Sequence, residues 1–156
     1  MVYRLIGVLL VGALCAGCSA TRYVDTPTDT VTLATTSEVN PNPSGRASPI
    51  VVKVYQLNER TTFDTLDFAG AFRNAKSLLG NRLKSSKRVV MRPGESAQHT
   101  MELASDASHV AIVAAYRNVD ATQWKLVYKV NPNWYSSHRV TLTANGLIEG
   151  KPDGDG

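Results

Sequence analysis

Residues 31–33 (Val-Thr-Leu) alternate apolar with polar, the pattern of a strand with one buried face. Residues 50–57, Ile-Val-Val-Lys-Val-Tyr-Gln-Leu, are β-branched and almost continuously apolar, which predicts a central strand. Further strands are predicted over 87–91, which stops at the Pro93-Gly94 turn, and over 97–103, where Met101 and Leu103 alternate. Residues 109–117 make the most apolar stretch of the body of the chain. In 123–130, Trp124, Leu126, Tyr128 and Val130 share one face, with Lys125, Val127 and Lys129 on the other. A one-residue slip would expose the aromatic face, so the register is firmly set. Residues 140–143 alternate once more before Asn145-Gly146. Seven or eight short strands divided by turn signals predict an all-β sandwich, mostly antiparallel.

Two segments break the strand rhythm. Phe63, Leu66, Ala69 or Gly70, and Phe72 recur at helical spacing; Thr62 is the expected cap, with Asp64 favourable in the first turn. Leu78, Leu79 and Leu83 add a second helical turn interrupted by Gly80, so a helical insert of about 61–84 is predicted after the second strand. Residues 40–49 hold three prolines, two asparagines and a glycine, a composition that excludes helix and ladder pairing. This loop is longer than the usual two to five residues of a hairpin connection.

The N-terminus reads as targeting. Arg4 precedes an apolar run from Leu5 to Leu14, too short to span a bilayer, and Ala16-Gly17 supply the small residues a signal peptidase needs. Cys18 directly after them resembles the lipobox of bacterial lipoproteins, which implies cleavage before Cys18 and acylation of it. Cys15 stands where Leu is usual in that motif, but cutting at Cys15 would put bulky Leu14 beside the scissile bond. Residues 18–29 then form a lipidated N-terminus and flexible tether, 30–150 the β-sandwich domain, and 151–156 a frayed tail. Ser19 follows the lipid-bearing position; in enteric-type sorting a residue other than Asp there implies the outer membrane.

Composition narrows the functions. The chain has 156 residues and two cysteines; with Cys15 in the signal peptide and Cys18 acylated, no thiol remains for a disulfide, a metal or a nucleophile. One domain of this size builds a core without covalent staples. The net charge of +4 falls by one with Arg4 and is dispersed apart from Lys84, Lys87, Arg88 and Arg92, too sparse for nucleic-acid binding. His99, His109 and His138 lack metal-ligand spacing, and no metal or other cofactor is expected. Asp106 and His109 beside Ser105 and Ser108 suggest a serine hydrolase only without its Gly-x-Ser-x-Gly elbow. The carboxylate pairs Glu95 with Glu102 and Asp64 with Asp67 read as surface groups, and catalytic residues are expected to be absent. Trp124 reads as core. Trp134-Tyr135 reads either as an interface or as loop aromatics folded over the end of the sandwich.

Several stretches together resemble one family. They are the lipobox at Cys18, Val52-Lys53-Val54-Tyr55-Gln56-Leu57 followed by Phe63, and Asp67-Phe68-Ala69-Gly70-Ala71-Phe72. With them go Met91-Arg92-Pro93-Gly94, Val113-Ala114-Ala115-Tyr116-Arg117 and Gln123-Trp124-Lys125. In order and spacing they resemble the outer-membrane lipoproteins of type VI secretion systems, the TssJ family. The family commonly has Arg after the Trp, where this chain keeps a cation with Lys125. The resemblance implies a transthyretin-like sandwich, no enzymatic activity, and a first long loop that docks the periplasmic C-terminal domain of the inner-membrane component TssM. That loop maps onto Asn40, Pro41, Asn42, Pro43, Ser44, Gly45, Arg46, Ala47, Ser48 and Pro49. No small-molecule substrate is expected on this reading. A periplasmic lipoprotein that binds or inhibits a hydrolase or small ligand is the alternative, and a deep aromatic-lined pocket would favour it.

Overall fold

The computed structural model describes residues 26–151; the signal peptide, Cys18, most of the tether and all but the first residue of the tail lie outside them. Eight strands form two four-stranded sheets: β1 (Thr28–Thr35), β2 (Ile50–Leu57), β3 (Leu83–Met91), β4 (Ser96–Glu102), β5 (His109–Ala114), β6 (Lys125–Lys129), β7 (Ser136–Thr143) and β8 (Gly146–Gly150). One sheet has the order β4–β1–β7–β8, the other β3–β2–β5–β6. All ladders are antiparallel except β1 with β7. The mainly-β sandwich predicted from alternation is the observed fold.

Facing sides of the two sheets bury Val31, Leu33, Val52, Val54, Val110, Ile112, Val140 and Leu142 between them. The opposite face of the second sheet is covered as well. Three short helices, α1 (Thr61–Asp64), α2 (Phe68–Arg73) and α3 (Ala75–Leu79), lay Phe63, Ala71, Ala75 and Leu79 on Tyr55, Leu57, Ala111 and Val113. Burial on both faces is why β2 and β5 read as unbroken apolar runs. Two lysines in this sheet latch the insert: Lys125 Nζ donates to the carbonyls of Asp64 (2.8 Å) and Leu66 (2.9 Å), and Lys53 Nζ to that of Phe72 (2.6 Å). Tyr55 Oη donates to Ala71 O at 2.9 Å, and burial pushes its phenol up to about 12.

Some local expectations are corrected. The cap of α1 is not Thr62: its N–H is taken by the Glu59 carboxylate at 3.2 Å, so Thr62 is the capped residue. Asp67 caps α2 through Gly70 N at 2.7 Å. The strand β3 begins at Leu83, inside the stretch read as helical, because Lys84-Ser85-Ser86 form a polar edge with no apolar rhythm to announce a strand. The strand β8 was not legible either, since Leu147 is buried while its neighbour Ile148 is 56% exposed.

β1 starts at Thr28, earlier than the alternation at 31–33 indicates, and Asp29 is fully buried. Its carboxylate accepts from Tyr128 Oη (2.9 Å), Ser136 Oγ (2.6 Å) and His138 Nδ1 (2.9 Å), so the buried charge is satisfied three times. The Tyr128 and His138 rings stack at 3.9 Å, and burial together with the Asp29 charge raises the Tyr128 phenol far above its ordinary value.

Strand directions give the sandwich two distinct ends. At the end where β1 begins lie the entering chain and the β4–β5 and β6–β7 connections; at the other lie the β1–β2, β3–β4, β5–β6 and β7–β8 loops. The flanks differ too. On one side a Gln123–Gly146 bridge closes the seam between β6 and β8. On the other, edge strands β3 and β4 leave a cleft of about 300 Å³ above Val54, bordered by Lys87 and His99.

Candidate docking groove at the loop end

The long first loop is ordered by its own polar groups. Asn42 Oδ1 accepts from Ser44 N (3.0 Å) and Arg46 N (2.9 Å), while its backbone N–H donates to Arg46 O (2.9 Å). Gly45, at φ 76°, donates to Asn42 O, a turn geometry that suits glycine. Ser48 N donates to Val39 O, and Val39 is buried beneath the loop. A composition that keeps this loop out of the sheet ladders would leave its backbone groups free to pair with another protein. Instead, the N–H groups of Asn42, Ser44, Gly45, Arg46 and Ser48 are satisfied within the loop. What the loop presents to solvent is its exposed side chains.

The candidate residues therefore divide. Asn40 and Ser48 are buried and structural; Pro41, Pro43, Ser44, Gly45, Arg46 and Pro49 are exposed, with Asn42 and Ala47 between. Asn40 is the staple. It sits at φ 50°, a conformation Asn tolerates better than most residues. Its Nδ2 donates to Pro49 O (2.9 Å), closing the base of the loop, and its Oδ1 accepts from Arg117 N (2.8 Å), joining the β5–β6 loop. That loop is joined in turn to the β7–β8 turn: Gln123 N donates to Asn145 O, and Leu147 N to Gln123 O. Gly146 makes this approach possible, because a Cβ there would lie 2.5 Å from Gln123 N.

The three stitched loops enclose an open groove of about 510 Å³. Asn40, Pro41, Asn42 and Pro43 form one wall; Tyr116, Arg117, Asn118, Ala121 and Thr122 the second; Ala144 and Asn145 the third. Tyr116 is buried at its base, and burial raises its phenol above the ordinary value. No carboxylate lines it, whereas Arg117 does, with Arg46 exposed on the adjoining loop. A mixed amide, proline and guanidinium lining of this kind suits a protein surface bearing acidic and hydrogen-bonding groups. With Tyr116 as its one aromatic, the groove is not the deep aromatic-lined pocket that a small-ligand protein would show.

Sequence reasoning named the first wall and missed the other two. The signal was strand parity: in an alternating sandwich every second connection falls at the same end. The remaining candidates serve structure. Ser108 Oγ donates to Asn58 O (2.7 Å) and lies 2.8 Å from His109 Nδ1, so it accepts there and His109 is the donor rather than a base. Asp106 pairs with Lys84 at 2.7 Å, which holds its carboxyl below the usual range, and not with His109. Glu95 closes the turn before β4 by accepting from Arg92 N, and Asp64 pairs with Arg60. Among the described residues no group of three His, Cys, Asp or Glu is placed to hold a metal. Nor is any helix there long and apolar enough to cross a membrane. Trp124 is half-buried, lying edge-on to Phe68 at 5.4 Å where the sandwich core meets the insert.

Comparisons with known proteins agree with this architecture. The crystal structure of the type VI secretion lipoprotein TssJ1 from Pseudomonas aeruginosa superposes with a TM-score of 0.79 at 27% identity, over 83% of this chain and 100% of that one. Serratia marcescens Lip, a membrane-bound component of the type VI secretion system, gives 0.75 at 22%, over 83% and 100%. A chain in a structure of the type VI secretion TssM C-terminal domain (869–1107) from EAEC gives 0.64 at 20%, over 80% and 98%. No curated protein matches. The profile described as type VI secretion lipoprotein, VasD, EvfM, TssJ matches residues 27–145. The chain belongs to the type VI secretion lipoprotein family.

Proposed function

We propose that this lipoprotein is a structural adaptor of a type VI secretion membrane complex. Acyl chains on Cys18 hold it at the inner leaflet of the outer membrane, and its loop end binds the periplasmic C-terminal domain of TssM. The observation that carries this reading is the position of the groove, at the end of the sandwich opposite the tether. The relatives support it: one similar chain belongs to a type VI membrane complex, another to a structure of the TssM C-terminal domain. Durable anchoring needs more than one acyl chain, each buried methylene contributing roughly 0.8 kcal/mol.

The test is capture of the TssM periplasmic domain by the lipoprotein and by its Arg46→Glu and Arg117→Glu variants. Both variants are expected to stay folded and to lose binding, while Lys87→Glu on the remote β3 edge retains it. Undiminished capture by both groove variants would remove the groove from the account. Separately, Cys18→Ser is expected to leave the domain folded, release it from membranes and abolish secretion.

A further inference from the structure

The β6–β7 connection carries the most exposed aromatic pair among the described residues: Trp134 is 70% and Tyr135 63% exposed. They do not fold over the sandwich. A tight turn holds them out, with Trp134 N donating to Asn131 O (3.1 Å) and Asn133 N to Asn131 Oδ1 (3.0 Å); Pro132 pre-sets the backbone of its first corner. Residues 130–137 carry no Asp, Glu, Lys or Arg. The next residue, Ser136, is the cross-strand partner of Asp29 and is bonded to its carboxylate at 2.6 Å. The aromatic pair is thus fixed beside the point where the chain enters from Cys18. Only nine residues separate Cys18 from Thr28, a reach of at most roughly 35 Å.

We propose that Trp134 and Tyr135 contact the membrane directly, seating the tether end of the sandwich in the headgroup region of the bilayer that holds acylated Cys18. This rests on the lipid-anchored reading of Cys18. Indole and phenol suit that region because each combines an apolar ring with a polar hydrogen that stays solvated. A rigid, uncharged turn loses little entropy and desolvates no charge on entering it. Two acyl chains alone leave the domain free to swivel. Adding the aromatic pair fixes its tilt and turns the groove away from the bilayer.

The test uses the lipoprotein in phosphatidylethanolamine–phosphatidylglycerol vesicles, with and without lipids brominated at the upper acyl carbons. Trp124→Phe leaves Trp134 as the sole indole; the difference between wild type and Trp134→Phe gives the same signal if that variant folds poorly. The expected result is a blue-shifted Trp134 emission that the brominated lipids quench, as befits an indole seated at the headgroup level. Water-like emission with no bromine quenching would overturn the proposal, as would shielding that appears only when the TssM domain is added. Vesicle flotation and the mass of the N-terminal peptide report the anchor independently. Should the chain prove unacylated, coupling the Cys18 thiol to a maleimide phospholipid places it on the vesicle, and the quenching still decides.

Discussion

Replacing Asn40 separates the two jobs its side chain performs. Asn40→Ala removes the bonds to Pro49 O and Arg117 N, each worth about 1 kcal/mol net, and leaves an Ala in a left-handed conformation that costs a further 1–2 kcal/mol or so. Water reaches the open groove and re-solvates part of what is orphaned, so the expected loss is about 2–4 kcal/mol. That is a large share of the roughly 5–15 kcal/mol that holds a domain together. Asn40→Gly loses the same bonds without the steric term and should be about 1 kcal/mol milder than Ala. Asn40→Asp keeps the acceptor for Arg117 but sets a buried carboxylate oxygen against Pro49 O, two acceptors with no proton between them, and should cost at least as much as Gly. Urea unfolding of the purified protein measures the series, and capture of the TssM domain follows the groove. An Ala variant within about 0.5 kcal/mol of wild type, or a Gly variant worse than Ala, would refute the staple.

Gly146→Ala forces a Cβ to 2.5 Å from Gln123 N in a backbone conformation (φ 135°) that side chains avoid; a loss of about 2–3 kcal/mol is expected, read by thermal unfolding. Lys125→Met frees the carbonyls of Asp64 and Leu66 and should cost about 1–3 kcal/mol, with faster amide exchange in the helical insert than in the sandwich core. Stability should also fall between pH 7.5 and 5.5. Burial first, then Lys87 for His99 and Arg60 for His109, lowers both histidines in the folded state, so unfolded chains bind more protons as pH drops through about 6.5. Their contribution is present above that value and lost below it. The His99→Gln, His109→Gln double variant should show a shallower slope in urea midpoint against pH, and an unchanged slope would count against the reading.

Much of the sandwich was legible because its inner strands carry an unambiguous apolar signal. Residues 50–57 and 109–117 announced the central pair, and Phe63, Gly70 and Phe72 the insert that covers it. What stayed hidden was set by partners far along the chain. Asp29 looked like tether because it is polar among polar residues; only Tyr128, Ser136 and His138, about a hundred positions away, make it interior. The strand β3 was half lost because an edge needs no hydrophobic rhythm on its polar part. In the groove, proline content exposed the first loop, but nothing local in Arg117, Thr122 or Asn145 reveals that three turns meet. Lys125, noted as the cation after Trp124, proved to be a latch for helix carbonyls, a role that no spacing rule encodes.

The open flank bears on crowding. A nine-residue edge such as β3 would ordinarily template a neighbour's strand and let identical subunits zip into one continuous sheet. Two copies pairing symmetrically about its midpoint would set Lys87 directly against Lys87, a like-charge pair that opposes fusion. Many copies can therefore be packed side by side on one membrane and remain separate molecules.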